Sequence, residues 1–254
     1  MKRLLIILAF FLFLINSSAY GVTNAVKKDY TVITPDGSRL SAVLEYPKVK
    51  GINEYKTVVL LHSLGYNSEW WDTLPANLME RGYAVLMVDL RGHGKSVYNP
   101  KLVRVSWKSL TNSAYKKYPS DMKEVIDYVK SENPKKIFFN DWAIIGSDIG
   151  AATGIIGANE IDIKPKTIVM ISPVVKAKGL FVPVKLAELN NTDILSICGT
   201  NDTASVDSQE YLKRFAQAGF IEYLSESKAS GMLMFKSDTT LSQFITIWIS
   251  QYLK

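Results

Sequence analysis

The stretch Trp142-Ala143-Ile144-Ile145-Gly146-Ser147-Asp148-Ile149-Gly150 decides how the rest of the chain is read. Four apolar residues run into a glycine, a sharp polar step follows, and a second glycine opens another apolar run, residues 149–158. A short continuous apolar run is the mark of a strand buried on both faces, and the run after it has the length of a helix. Glycines on either side of the step let the backbone turn tightly and let the helix lie close against the strand. The segment therefore predicts strand, tight turn, helix.

The same alternation repeats on both sides. Residues 57–61, 84–88, 167–171 and 194–197 are further apolar strands, and residues 221–224 are a last one. Between them lie predicted helices over 71–81 (ended by Gly82), 120–131 (with Ser120 as N-cap), 149–158 and 208–218, and an amphipathic helix over 239–253 closes the chain. Upstream, residues 30–34 and 40–46 flank Pro35-Asp36-Gly37 and read as a hairpin. Strands alternating with helices predict a single α/β domain with a mainly parallel sheet and helices on both faces.

Composition agrees: 254 residues, 47% hydrophobic and 21% charged, suit one large globular domain. Lys2-Arg3, the unbroken apolar run 4–15 and the small residues Ser17-Ser18-Ala19-Tyr20-Gly21 have the form of a signal peptide over residues 1–21, leaving 22–254 as the domain. An exported product is expected: periplasmic, secreted or held at the cell envelope. The membrane is a partner only if the leader stays uncleaved. The net charge of +6 falls to about +4 without Lys2 and Arg3, and no recognition motif accompanies it, so nucleic acid is not expected as a partner. Cys198 is the sole cysteine, which excludes an intrachain disulfide, and its place at the end of an apolar run reads as a buried thiol.

In an open parallel sheet, chemistry gathers at the carboxyl ends of the strands. The loops there read His62-Ser63-Leu64-Gly65, Asp89-Leu90-Arg91-Gly92-His93-Gly94-Lys95-Ser96, Gly146-Ser147-Asp148-Ile149-Gly150 and Gly199-Thr200-Asn201-Asp202. In this order and spacing they resemble the α/β-hydrolase superfamily, in particular its dienelactone-hydrolase-like and carboxylesterase-like members without a large cap domain. The resemblance implies a serine hydrolase in which Gly146 and Gly150 frame the nucleophile elbow, position 148 holds the nucleophile, Asp202 is the acid and position 230 carries the histidine. The backbone amides of Leu64 and Ile149 would form the oxyanion hole. No cofactor or metal is implied; the partner would be a small ligand or an ester-like substrate.

Two of these positions depart from the pattern. Position 148 is an aspartate, with Ser147 one residue too early, and Ala229-Ser230-Gly231 carries a serine where relatives carry histidine. The chain's two histidines, His62 and His93, fall where relatives use them to shape loops. A serine hydrolase needs a hydroxyl nucleophile and an imidazole to take and return its proton. An elbow aspartate as in haloalkane dehalogenases or epoxide hydrolases still needs that imidazole, and residues 173–193 are too few for the cap those enzymes carry. Two further roles for Asp148 are a carboxylate that caps the following helix while blocking the oxyanion hole, and half of an acidic pocket with Asp202 for a cation or amine. The expectation is an esterase-like protein impaired in catalysis, with an active hydrolase and an envelope-tethered interaction protein as rivals.

Overall fold

The computed structural model describes residues 25–254, so the leader expected over residues 1–21 lies outside the described residues. The main sheet has eight strands in the order β1-β2-β4-β3-β5-β6-β9-β10. β1 (Ala25–Ile33) and β2 (Arg39–Pro47) form an antiparallel hairpin. β2 runs antiparallel to β4 (Ala84–Val88). From there β3 (Tyr55–Leu61), β5 (Ile137–Ser147), β6 (Thr167–Ile171), β9 (Asp193–Gly199) and β10 (Phe220–Ser225) are all parallel to their neighbours. β7 (Lys176–Ala177) and β8 (Leu180–Phe181) form a separate small hairpin.

Every residue of β4 and β6 is buried, because helices cover both faces of the sheet. On one face, Val59, Leu61, Leu86 and Ile144 pack with Met122, Val125, Ile126 and Ile155. On the other, Val58, Leu60, Ile145 and Leu195 pack with Leu74, Leu78, Ile245 and Ile249. The sheet thus works as a rigid plate between two apolar layers, and the loops that follow its parallel strands gather at its C-terminal edge.

The differences from the sequence reading are local and have physical causes. The helix expected over 71–81 is two pieces, a 3-10 turn at Ser68–Trp71 and a helix at Leu74–Glu80, because Asp72 takes a φ of 50° between them. The helix expected from Ser120 begins earlier, at Tyr118, with Pro119 in its first turn, where the missing N–H costs nothing. Ser120 lies inside it and bonds back to the Lys117 carbonyl at 2.9 Å. The helix expected over 208–218 is Thr203–Lys213, since Asp202 serves as its N-cap.

Candidate functional site

The elbow is built at the junction of β5 with the helix Ile149–Ala158. Asp148 has φ 51° and ψ −117°, a left-handed backbone that costs a non-glycine residue energy and holds its side chain above the end of the sheet. Its neighbours are glycines for want of space. A Cβ at Gly146 would stand 2.6 Å from the Ala151 nitrogen, and one at Gly150 would stand 2.1 Å from the Leu61 carbonyl oxygen. The Asp148 N–H is itself held by the Ile171 carbonyl at 2.9 Å.

The Asp148 carboxylate turns toward the loop that follows β3. Its Oδ2 accepts the Leu64 N–H at 3.2 Å, so one of the two amides expected to hold a substrate oxyanion is already engaged by the protein's own carboxylate. The helix-cap part of the expectation is corrected: Asp148 occupies the N-cap position but makes no side-chain cap bond, because its side chain is spent on Leu64. Burial pushes the Asp148 carboxyl above the ordinary carboxylate range; the amides of Leu64 and Ile149 oppose that shift, and the charge of Asp202 adds to it. Ser147 faces down into the core, fully buried, with its Oγ 2.7 Å from Ser63 Oγ.

Both imidazoles are committed elsewhere. His62 is fully buried, with Nδ1 2.8 Å from the Ser63 carbonyl and Nε2 accepting the Leu90 N–H at 3.0 Å. Burial, with the neighbouring His93, lowers its pKa to about 4, so it is neutral at pH 7. His93 Nε2 accepts the Gly65 N–H at 3.0 Å, Nδ1 lies 3.1 Å from the Arg91 carbonyl, and the ring stacks on Trp107 at 5.7 Å. Together the two rings knit the loops after β3 and β4 and so hold the Leu64 amide in place. Arg91 anchors the same corner from below, its Nε 2.8 Å from Asp121 Oδ2 and its Nη1 2.8 Å from Asp36 Oδ2. The buried Arg91–Asp121 pair and the half-buried Arg91–Asp36 pair leave the His93 loop little freedom.

Asp202 follows β9. Its Oδ1 accepts the Ser205 N–H at 3.3 Å and caps the helix Thr203–Lys213, while its Oδ2 is buried without a hydrogen-bond partner among the described residues. A buried carboxylate oxygen without a donor is costly, and it sits where the resemblance places the acid that would hold an imidazole. Position 230 lies on the segment that bridges the acid and the elbow: the Ala229 carbonyl crowds Gly199, and Gly231 abuts Ser63 Oγ. Ser230 itself is exposed and bonds to nothing among the described residues through its hydroxyl. The structure brings Asp148, Leu64, Ile149, Asp202 and the 229–231 segment to one edge, but the groups there are carboxylates, amides and hydroxyls.

Two supporting residues escaped the sequence reading. Ser172, just after β6, takes a φ of 48° and its Oγ accepts the Gly231 N–H at 2.7 Å, which fixes the segment carrying Ser230. Ser63 was visible only as part of a loop motif, yet it pins Ser147 beneath the elbow. Neither has a sequence signal beyond its place at a strand's carboxyl end.

A family model described as serine aminopeptidase, S33, matches residues 53–205 of this chain, more than half of it. The chain belongs to that family. Its S33 membership makes it a hydrolase- or esterase-like α/β-hydrolase by descent. A probable lipase of Schizosaccharomyces pombe is 30% identical over 135 residues, which cover 49% of this chain but 28% of that protein, so the chain spans under a third of the relative's length. Solved structures share the fold over most of the S33 chain. An esterase from Pyrococcus furiosus superimposes with a TM-score of 0.67 at 20% identity, covering 90% of this chain and 91% of its own. A dienelactone hydrolase assigned in Klebsiella pneumoniae gives 0.67 at 15% identity, covering 91% and 100%. An esterase from Exiguobacterium antarcticum gives 0.66 at 14% identity, covering 88% and 100%.

Proposed function

We propose that this S33-family chain is an exported, non-hydrolytic member that uses the carboxyl edge of its sheet, around Asp148 and Asp202, to bind a small ligand or partner. The observation that carries the reading is the 3.2 Å hydrogen bond from the Leu64 N–H to Asp148 Oδ2. Acyl transfer requires the oxyanion hole to meet the charge that develops on the substrate. Here a carboxylate already lies against one of its amides, and a second anion would be repelled from it. No hydroxyl stands at the elbow to attack, and no imidazole is free to accept a proton.

An aspartate nucleophile does not rescue catalysis. The ester it formed would need water activated by a base, and the residue facing that step from the 229–231 segment is Ser230. What the architecture retains is a strained elbow and a Leu64 loop fixed by His93, with Trp107 stacked on that ring, the parts that shape a binding site.

Incubation of the purified protein with a fluorophosphonate probe and with a panel of activated esters tests the proposal. The expected result is no covalent adduct and no turnover above the buffer rate. Labelling of Ser147 or Ser63, or saturable ester hydrolysis abolished by Asp148→Asn, contradicts it. Export is checked by sequencing the mature N-terminus, which should begin at residue 20 or 22.

A further inference from the structure

We propose that the corner of the sheet where the β1–β2 turn meets residues 97–105 docks on the surface of a bilayer carrying anionic headgroups. The observation is a row of side chains lying side by side. Ile33 pairs with Arg39 across the hairpin, Arg39 bridges to Tyr98, and Tyr98 bridges to Arg104, each pair antiparallel. Directly opposed residues of antiparallel strands project to the same face, so the four side chains form one band that reads apolar, cation, aromatic, cation. All four are exposed, Ile33 by 64% and Tyr98 by 45%.

The turn of the arm continues the pattern. Lys101, Leu102 and Val103 follow one another at its tip, the last two more than half exposed. Leu102 takes a φ of 59°, a conformation that favours glycine or asparagine, so an apolar side chain stands at the tip despite the backbone. No Asp or Glu occurs between Asp89 and Asp121, and Arg39, Lys101 and Arg104 have no ion-pair partner among the described residues.

The chemistry selects the partner. Aliphatic tips beside unpaired cations suit a bilayer interface, where the apolar groups enter the acyl boundary and the cations stay with anionic headgroups. A nucleic acid has no use for Ile33, Leu102 and Val103, and a second copy of the chain would set like charges against each other. The band also lies near the candidate site: the arm leads into Trp107, which stacks on His93 and stands against Gly65 of the Leu64 loop. Docking there would turn the Leu64 loop and the carboxyl edge of the sheet toward the lipid.

The test uses a fluorophore whose emission shifts to the blue in an apolar setting, attached to the full chain carrying Val103→Cys. Attachment is selective because Cys198 is buried against Gln209 and its thiol is pushed up to about 12. Ser131→Cys, exposed at the opposite edge of the sheet, is the control. Vesicles of phosphatidylcholine with phosphatidylglycerol should shift the emission at position 103 but not at 131. Phosphatidylcholine alone should leave both unchanged. Adding Lys101→Gln and Arg104→Gln should weaken partitioning roughly fivefold for each cation removed. Equal shifts at both positions, no shift at 103, or a shift at 103 that the double neutralisation leaves intact overturns the proposal; binding to an acidic protein without binding to the vesicles does the same.

Discussion

Two carboxylates at the same edge of the sheet have been treated differently by the fold. Asp148 is half-buried above the elbow and bonded to the Leu64 amide, so its charge is partly met by the backbone. Asp202 caps a helix with one oxygen and buries the other without a donor. On the proposed reading, the first lies where a hydrolase would receive charge and the second where one would hold an imidazole. The contrast teaches that two carboxylates on one edge can be met by the backbone to very different degrees.

The largest expected effect tests whether the elbow scaffold is truly preserved. A methyl group at Gly150 has no room against the Leu61 and His62 carbonyls, both backbone, so Gly150→Ala should cost about 3 kcal/mol or more in urea unfolding. A variant of unchanged stability would mean that the helix does not press on β3 as described.

The acid limb of the stability curve comes next. The pKa of His62 is lowered to about 4 in the fold against about 6.5 unfolded, so the unfolded chain binds the extra proton between those values. Stability is therefore fully present above about pH 6.5 and falls as the pH drops through 4, by on the order of 3 kcal/mol from this group. His93, also lowered by burial, adds in the same direction. Replacing His62 with a neutral residue should flatten this limb; an unchanged limb would mean that the ring is not desolvated.

The two carboxylates themselves should then diverge. Asp202→Ala removes the cap of the helix Thr203–Lys213 and should cost about 1 kcal/mol. Asp148→Asn keeps an oxygen for the Leu64 amide and removes a desolvated charge, so it should stabilise the protein at pH 7 in urea unfolding. Because the folded pKa of Asp148 is raised, that gain should shrink as the pH falls through it. A loss of stability in Asp148→Asn would break the comparison. The smallest effect belongs to Ser230→Ala, within about 0.5 kcal/mol, since its hydroxyl is exposed and unbonded.

The reach of the sequence follows from the range of the forces involved. The buried strands were legible because full burial demands continuous apolar runs, and the helix Ile149–Ala158 was found to the residue because glycines mark the turn before it. The strand–turn–helix around position 148 was legible because glycines flank the step, whereas the roles of positions 202 and 230 rest on the family resemblance and not on spacing. Helix starts were less so: the capping role of Asp202 and the turn taken by Asp72 depend on loop geometry that neighbouring residues do not encode. The sequence allows Asp148 to meet the Leu64 amide, but only the folded geometry shows that its side chain makes no helix cap. The Ile33–Arg104 band was invisible, since it joins residues 71 positions apart in the chain through two isolated bridges.

On the proposed reading, a carboxylate against the Leu64 amide and a missing imidazole, on an intact scaffold, leave the site silent. The direct measurement is ester hydrolysis by the unmodified protein beside the double variant Asp148→Ser with Ser230→His. No enzymatic turnover is expected in the first and a measurable, saturable rate in the second, with an acyl group trapped at position 148. Turnover by the unmodified protein equal to or above that of the double variant would contradict it.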